Sequence, residues 1–294
     1  YLRNTKDLLA YVPVPAGMTT TNAMNRNIGS LRNIGVEFNI TARPIVSNDF
    51  NWSTGLNVAW NSNKITELTG SAEEDKTFTL DAYGNPASEN AVPIQLHKVG
   101  KPAFSFYVLE QVYDKDGNPI PNVYVDQNQD GEIDANDLVV KHSKDPKVTI
   151  NWNNNFSYKN WDLGFVLRAS IGNYVFNGVR PGAINLTNIQ GQGSRLNNVL
   201  VSDFYFNDNS AVTNLVRSSY FLENAGFLRC DNITLGYTFP NLLNNNLKLR
   251  VFGAVQNPFV ITKYSGLDPE VFSGVDSNTY PRPTTYSLGL VATF

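Results

Sequence analysis

Apolar and polar residues alternate with period two in seven separate segments of this chain, and that pattern leaves few folds open. In "VEFNITAR" Val36, Phe38, Ile40 and Ala42 fall on one side, and Glu37, Asn39, Thr41 and Arg43 on the other. Successive side chains of a strand point to opposite faces, so the pattern describes a strand with one apolar and one wet face. "FNWSTGLNVAW" restarts it after "PIVSND", with Phe50, Trp52, Leu56, Val58 and Trp60 opposite Asn51, Ser53, Gly55 and Asn57. The two segments predict a hairpin. A second hairpin runs through Val148, Ile150, Trp152, Phe156 and Tyr158, turns at Lys159 and Asn160, and leaves through Trp161, Leu163, Phe165, Leu167, Ala169 and Ile171. A third joins 227–239 to 246–257, a final strand covers 284–294, and residues 1–11 predict a partial strand.

The connections carry the next constraint. Those at 45–49, 159–160 and 240–245 are short, while those at 61–147, 173–226 and 258–283 are long, in strict alternation. Transmembrane β-barrels have short periplasmic turns and longer extracellular loops. The expected fold is therefore all-β: an antiparallel transmembrane β-barrel, with residues 1–294 as one barrel portion and the three long connections outside. Counting strands from the loop side places the C-terminus in the periplasm. Seven or eight strands do not close a barrel of this kind, since closure must remove both edges, so the chain is expected to be part of a larger one. Composition agrees: charged residues make up only 17% of the chain, against roughly 25% in soluble domains. Trp60, Tyr158 and Trp161 near segment ends suit an aromatic girdle. No apolar run is long enough for a spanning helix. A net charge of −3 gives no electrostatic footprint for nucleic acid. Cys230 is the single cysteine, so an internal disulfide is excluded, and the thiol is expected to be buried or inert. The alternative is a soluble calcium-binding β-domain for surface glycan binding or adhesion.

"FLRCDNITLGYTFP", "LRVFGAVQNPFVITKYSGLDPEV" and "YPRPTTYSLGLVATF", in that order, resemble the C-terminus of the SusC/RagA family of TonB-linked outer-membrane transporters. "RNIGVEFNI", "LNVAWNSNKITELTG" and "YVDQNQDGEIDANDL" resemble its preceding blocks. Cys230 departs from the family pattern without disturbing the match. The resemblance implies a plugged barrel of roughly twenty-odd strands, embedded in outer-membrane lipid and partnered by a SusD-like surface lipoprotein. It implies import of oligosaccharides or peptides, driven through TonB. Neither plug nor TonB-contacting segment is recognisable here, so the expectation is the C-terminal portion of a longer polypeptide. It also implies that the last strand, through Tyr286, Leu288, Leu290 and Phe294, is the signal read by the barrel assembly machinery.

One loop motif is sharp. In "DQNQDGEIDAND" Asp126, Asn128 and Asp130 take positions 1, 3 and 5 of an EF-hand-type loop, Gly131 position 6, Glu132 position 7, Asp134 position 9 and Asp137 position 12. Such oxygen donors suit Ca2+, although position 12 lacks the bidentate Glu and no helices flank the loop. The other reading is a solvated acidic turn whose side chains bond their own backbone. His97 and His142 lack a placed carboxylate or Cys partner and are expected to serve the surface. "IQGQGSR" follows no strand and reads as an external loop rather than a phosphate cradle. No nucleophile or paired-carboxylate arrangement is evident, so no enzymatic activity is expected. Arg43, Asn51, Asn57, Arg168 and Arg250 are expected to face the lumen. Phe104, Phe106, Tyr107, Phe204, Tyr205 and Phe206 could stack on ligands, but packing between loops is the favoured reading.

Overall fold

Eight long strands form one antiparallel sheet in the computed structural model, which describes residues 1–13, 23–69, 79–84, 93–184, 217–242 and 247–293. They are β1 (Leu2–Pro13), β2 (Ala23–Val46), β3 (Phe50–Glu67), β4 (Val148–Tyr158), β5 (Trp161–Ile171), β6 (Phe227–Leu242), β7 (Leu247–Thr262) and β8 (Thr285–Thr293). Their order in the sheet is their order in the chain. Each strand therefore pairs with its sequence neighbours, and β1 and β8 remain as edges.

The register sorts the side chains. One row runs Phe38, Val58, Ile150, Ala169, Leu228, Ile261 across β2 to β7. Another runs Trp52, Phe156, Leu163, Leu235, Gly253, Leu288 across β3 to β8. Both lie on one face, and many of these apolar side chains are exposed, Leu288 to 82%. The opposite face carries rows such as Asn39, Asn57, Asn151, Arg168 and Arg229. Among the described residues no second layer covers an apolar face of this extent. It is the outer surface of a barrel wall, and the polar face is the inner one.

β4 matches the expected 148–158 residue for residue, whereas β2 begins at Ala23 rather than 36 and β3 continues to Glu67 rather than 60. The added stretch of β2, "AMNRNIGSLRNIG", has no alternation because it is held by backbone pairing to β1 and to the far end of β3. Arg43 falls in the irregularity between Ala42 and Ile45, where the register gives it no cross-strand partner. Asn51, Asn57, Arg168 and Arg250 do share that face.

Short turns gather at one rim. The Lys159 N–H donates to the Asp49 carbonyl at 2.7 Å and the Thr238 N–H to the Asn160 carbonyl at 2.8 Å, which ties the first two turns to each other and to β6. The described parts of the long connections gather at the other rim, and they are folded rather than plain loops. Thr79–Gly84, Pro93–Lys98, Ser105–Leu109 and Leu138–Ser143 make a sheet, Gln111–Tyr113 and Pro119–Tyr124 a hairpin. Leu222–Asn224, Tyr174–Asn177 and Val275–Asp276 make a third sheet. These pieces share one water-free core built from Ile94, Phe106, Val108, Phe176, Ile184, Phe221 and Val275. Phe106 is thus a packing residue, as expected, while Phe204, Tyr205, Phe206 and Phe294 lie outside the described residues. Cys230 is buried and free.

Candidate functional site

The folded connections roof the polar face and leave a cavity of about 820 Å3. Asn33, Asn61 and Asn63 reach it from the far ends of β2 and β3, and Thr149 from β4. Lys101, Ser143 and Asp145 reach it from the first long connection. Asn63 and Asp145 are anchored before any ligand arrives. The Asn63 Oδ1 accepts the Ala103 N–H at 2.8 Å, and its Nδ2 donates to the Asp145 carboxylate at 3.1 Å. Amides and hydroxyls offer both donors and acceptors, and Lys101, Asp145 and Lys147 add charge to the same wall.

Beside the cavity, the third long connection is drawn onto the polar face by charge. Arg168 of β5 and Arg229 of β6 are cross-strand neighbours. The Arg168 guanidinium donates to Asp231 through Nε at 3.1 Å and to Glu270 through Nη2 at 3.0 Å. Arg229 Nη2 donates to Asp268 at 2.6 Å, with both side chains almost fully buried at 4% and 6% exposure. Its Nε lies 3.1 Å from Glu270, at ion-pair distance but outside hydrogen-bond alignment. Arg282 Nη1 adds a third cation 3.2 Å from Glu270. Both arginines also sit over the Phe227 ring. The result is a latch between strand arginines and "LDPE" carboxylates.

A second polar knot holds the same connection to its neighbour. Glu223 accepts from Arg180 at 2.8 Å and from the Ser265 hydroxyl at 2.7 Å. The Tyr264 hydroxyl donates to Asp276 at 2.7 Å in a buried site, and burial raises its pKa far above the usual phenol range.

The histidines do not form a site. His97 is half-buried, its Nδ1 accepts the Phe104 N–H at 3.3 Å, and burial lowers its pKa. His142 stacks on Tyr174 at 3.6 Å between ring centres. His97 therefore packs rather than simply serving the surface, while His142 stays exposed in the lining of the cavity.

The acidic loop is satisfied from within. Asp126 accepts the N–H groups of Gln129 at 2.6 Å and Gly131 at 2.9 Å, with Gly131 at φ +87° making the turn. Asp130 accepts the Glu132 N–H at 2.9 Å, and Asn128 donates to Asp130 at 2.7 Å. Asp134 caps the short 3-10 turn at Ala135–Asp137. Asp137 accepts the N–H groups of Asp134 at 2.8 Å and Gln127 at 2.7 Å, which holds its carboxyl below the usual range. Among the described residues no three His, Cys, Asp or Glu side chains come together as a metal cluster. Sequence spacing found this loop. It missed the latch, because Asp268 and Glu270 lie far along the chain from Arg168 and carry no local periodic signal.

Comparisons place this geometry. No protein-family model matches the chain. The TonB-dependent receptor SusC of Bacteroides thetaiotaomicron is 43% identical over 305 aligned residues, covering all of this chain and 29% of that protein. TonB-dependent receptor P3 of Formosa agariphila is 28% identical over 325, covering 99% of this chain and 31% of its own length. The chain thus spans about three-tenths of the curated relatives it matches. The structure of the RagAB peptide transporter superposes with a TM-score of 0.73 at 25% identity, covering 99% of this chain and 32% of that one. The RagAB importer in its open-open state gives 0.72, covering 98% and 31%. With one apolar face outward, one polar face inward and identity sustained along its whole length, the chain belongs to the SusC/RagA family of TonB-dependent outer-membrane transporters, of which it forms a β-barrel portion.

Proposed function

We propose that this chain walls the import path of a TonB-dependent transporter that carries a polar oligomer, an oligosaccharide or a peptide, across the outer membrane. The carrying observation is the two-faced sheet: an exposed apolar side of continuous rows and a polar side roofed into an amide-lined cavity. The exposed apolar side argues against a soluble module. In this reading the short-turn rim and the end of β8 are periplasmic, the folded connections are extracellular, and a SusD-like lipoprotein closes over them. Tyr286, Leu288 and Leu290, exposed along β8, would then present the assembly signal to the barrel assembly machinery. TonB would act on parts of the longer protein. The acidic loop braces the outer surface through its own hydrogen bonds.

The test is uptake of labelled oligosaccharides and of labelled peptides by cells carrying the full-length receptor, with and without functional TonB. TonB-dependent uptake of one class is expected. Full-length protein that stays monodisperse in buffer without detergent would sink the proposal.

A further inference from the structure

On the apolar face, beside the Lys159–Asn160 turn, Phe50, Phe156, Tyr158, Trp161, Leu163 and Phe165 frame a cleft of about 430 Å3. Phe50, Tyr158 and Trp161 are cross-strand partners in the row nearest the turn, and Phe156 and Leu163 in the next. Phe156 lies at the centre, with ring centroids 6.3 Å from Phe50, 5.7 Å from Trp52 and 6.0 Å from Phe165, all stacked. Trp161 is fixed edge-on against Tyr237 at 4.8 Å. Ring packing, rather than a chance arrangement of mobile side chains, therefore keeps the cleft open.

Its mouth is charged. The Lys159 ammonium sits 5.6 Å over the Tyr158 ring, and Asp49 lies alongside, its carbonyl accepting the Lys159 N–H. Both residues are exposed, and neither side chain has an ion-pair partner among the described residues. A cation at the end of an aromatic cleft is the complement of a glycerophospholipid: phosphodiester against Lys159, acyl chain along the rings. Tyr and Trp at such a rim keep an apolar body in hydrocarbon and a polar tip in the headgroup layer.

We propose that this cleft holds one glycerophospholipid as a resident lipid, its phosphodiester against Lys159. The proposal rests on the reading of the sheet as a membrane wall. It is tested on delipidated full-length receptor by native mass spectrometry with added phosphatidylethanolamine. A 1:1 adduct is expected. Lys159→Asn removes the charge while Asn tolerates the left-handed φ of +51° at this turn. It should weaken the adduct about five-fold, and Trp161→Ala should weaken it as well. Phe38→Ala, on the same face outside the cleft, should not. Groove variants that bind like the native protein, or a preference for lipopolysaccharide, would overturn the site while leaving the membrane wall intact. A receptor that fractionates away from the outer membrane would instead remove the wall and the site together.

Discussion

Arg229 shows what one residue does here. Its guanidinium joins Asp268 and Glu270 over the Phe227 ring, almost out of water. Breaking a buried pair leaves its partner charged and uncompensated, so Arg229→Ala should cost about 3–5 kcal/mol. The measurement is the temperature at which the folded band of the full-length receptor is lost on heating. Arg168 lies in the same latch but is more exposed, at 27%, so Arg168→Ala should cost less. Asp137 gives a second residue-scale expectation. The Asp134 N–H, and after it the Gln127 N–H, hold its folded pKa below the unfolded value, which is about 3.9. A depressed carboxylate pKa means that its contribution is fully present above the unfolded value and is lost as pH falls through the folded one. Hydrogen exchange in 126–137, corrected for intrinsic rate, should therefore stay slow at pH 5 and become fast only well below about pH 4. Asp137→Ala should make it fast already at neutral pH.

At the scale of the strand, face matters more than residue type. Leu235 and Thr234 are neighbours in β6, but Leu235 belongs to the outward apolar row and Thr234 to the polar face. An arginine facing lipid near mid-membrane costs about 2–4 kcal/mol in a β-barrel. Leu235→Arg should therefore lower the yield of heat-modifiable receptor in the outer-membrane fraction, and Thr234→Arg should leave it near the native level. Equal effects from both substitutions would contradict the assignment of faces. Length follows similar logic. A tilted transmembrane strand needs about 9–11 residues, and β4 and β5 have 11 each. β2 has 24, and its N-terminal half continues with no alternation at all. Alternation is written only where one side of a strand meets apolar surroundings and the other does not.

For the molecule as a whole, the unit to notice is the roof. Three connections separated in sequence by whole hairpins contribute to one core, and hydrogen bonds cross between them. The Leu109 N–H donates to the Arg217 carbonyl at 2.9 Å, the Phe176 N–H to the Gly274 carbonyl at 2.8 Å, and Gln95 Nε2 to the Ser273 carbonyl at 3.1 Å. Phe106 is fully buried at the centre of that core. Phe106→Ala should cost the roof about 3–5 kcal/mol. Limited proteolysis should then show new cuts not only near residue 106 but also in 172–184 and 263–284. Cuts confined to the first connection would mean that the three fold separately.

By itself the amino-acid sequence determined seven alternating strands and a partial eighth, the strict order of short and long connections and the apolar side of each alternating segment. Those properties are local, since a period of two is fixed by the geometry of a single extended chain. Only the tertiary structure decided that the long connections fold together, that Asp268 and Glu270 close on Arg168 and Arg229, and that Phe50, Phe156 and Trp161 frame a cleft. Each of these depends on residues distant in the chain meeting through sheet register and shared burial, and none of the three leaves a periodic trace in the order of the amino acids.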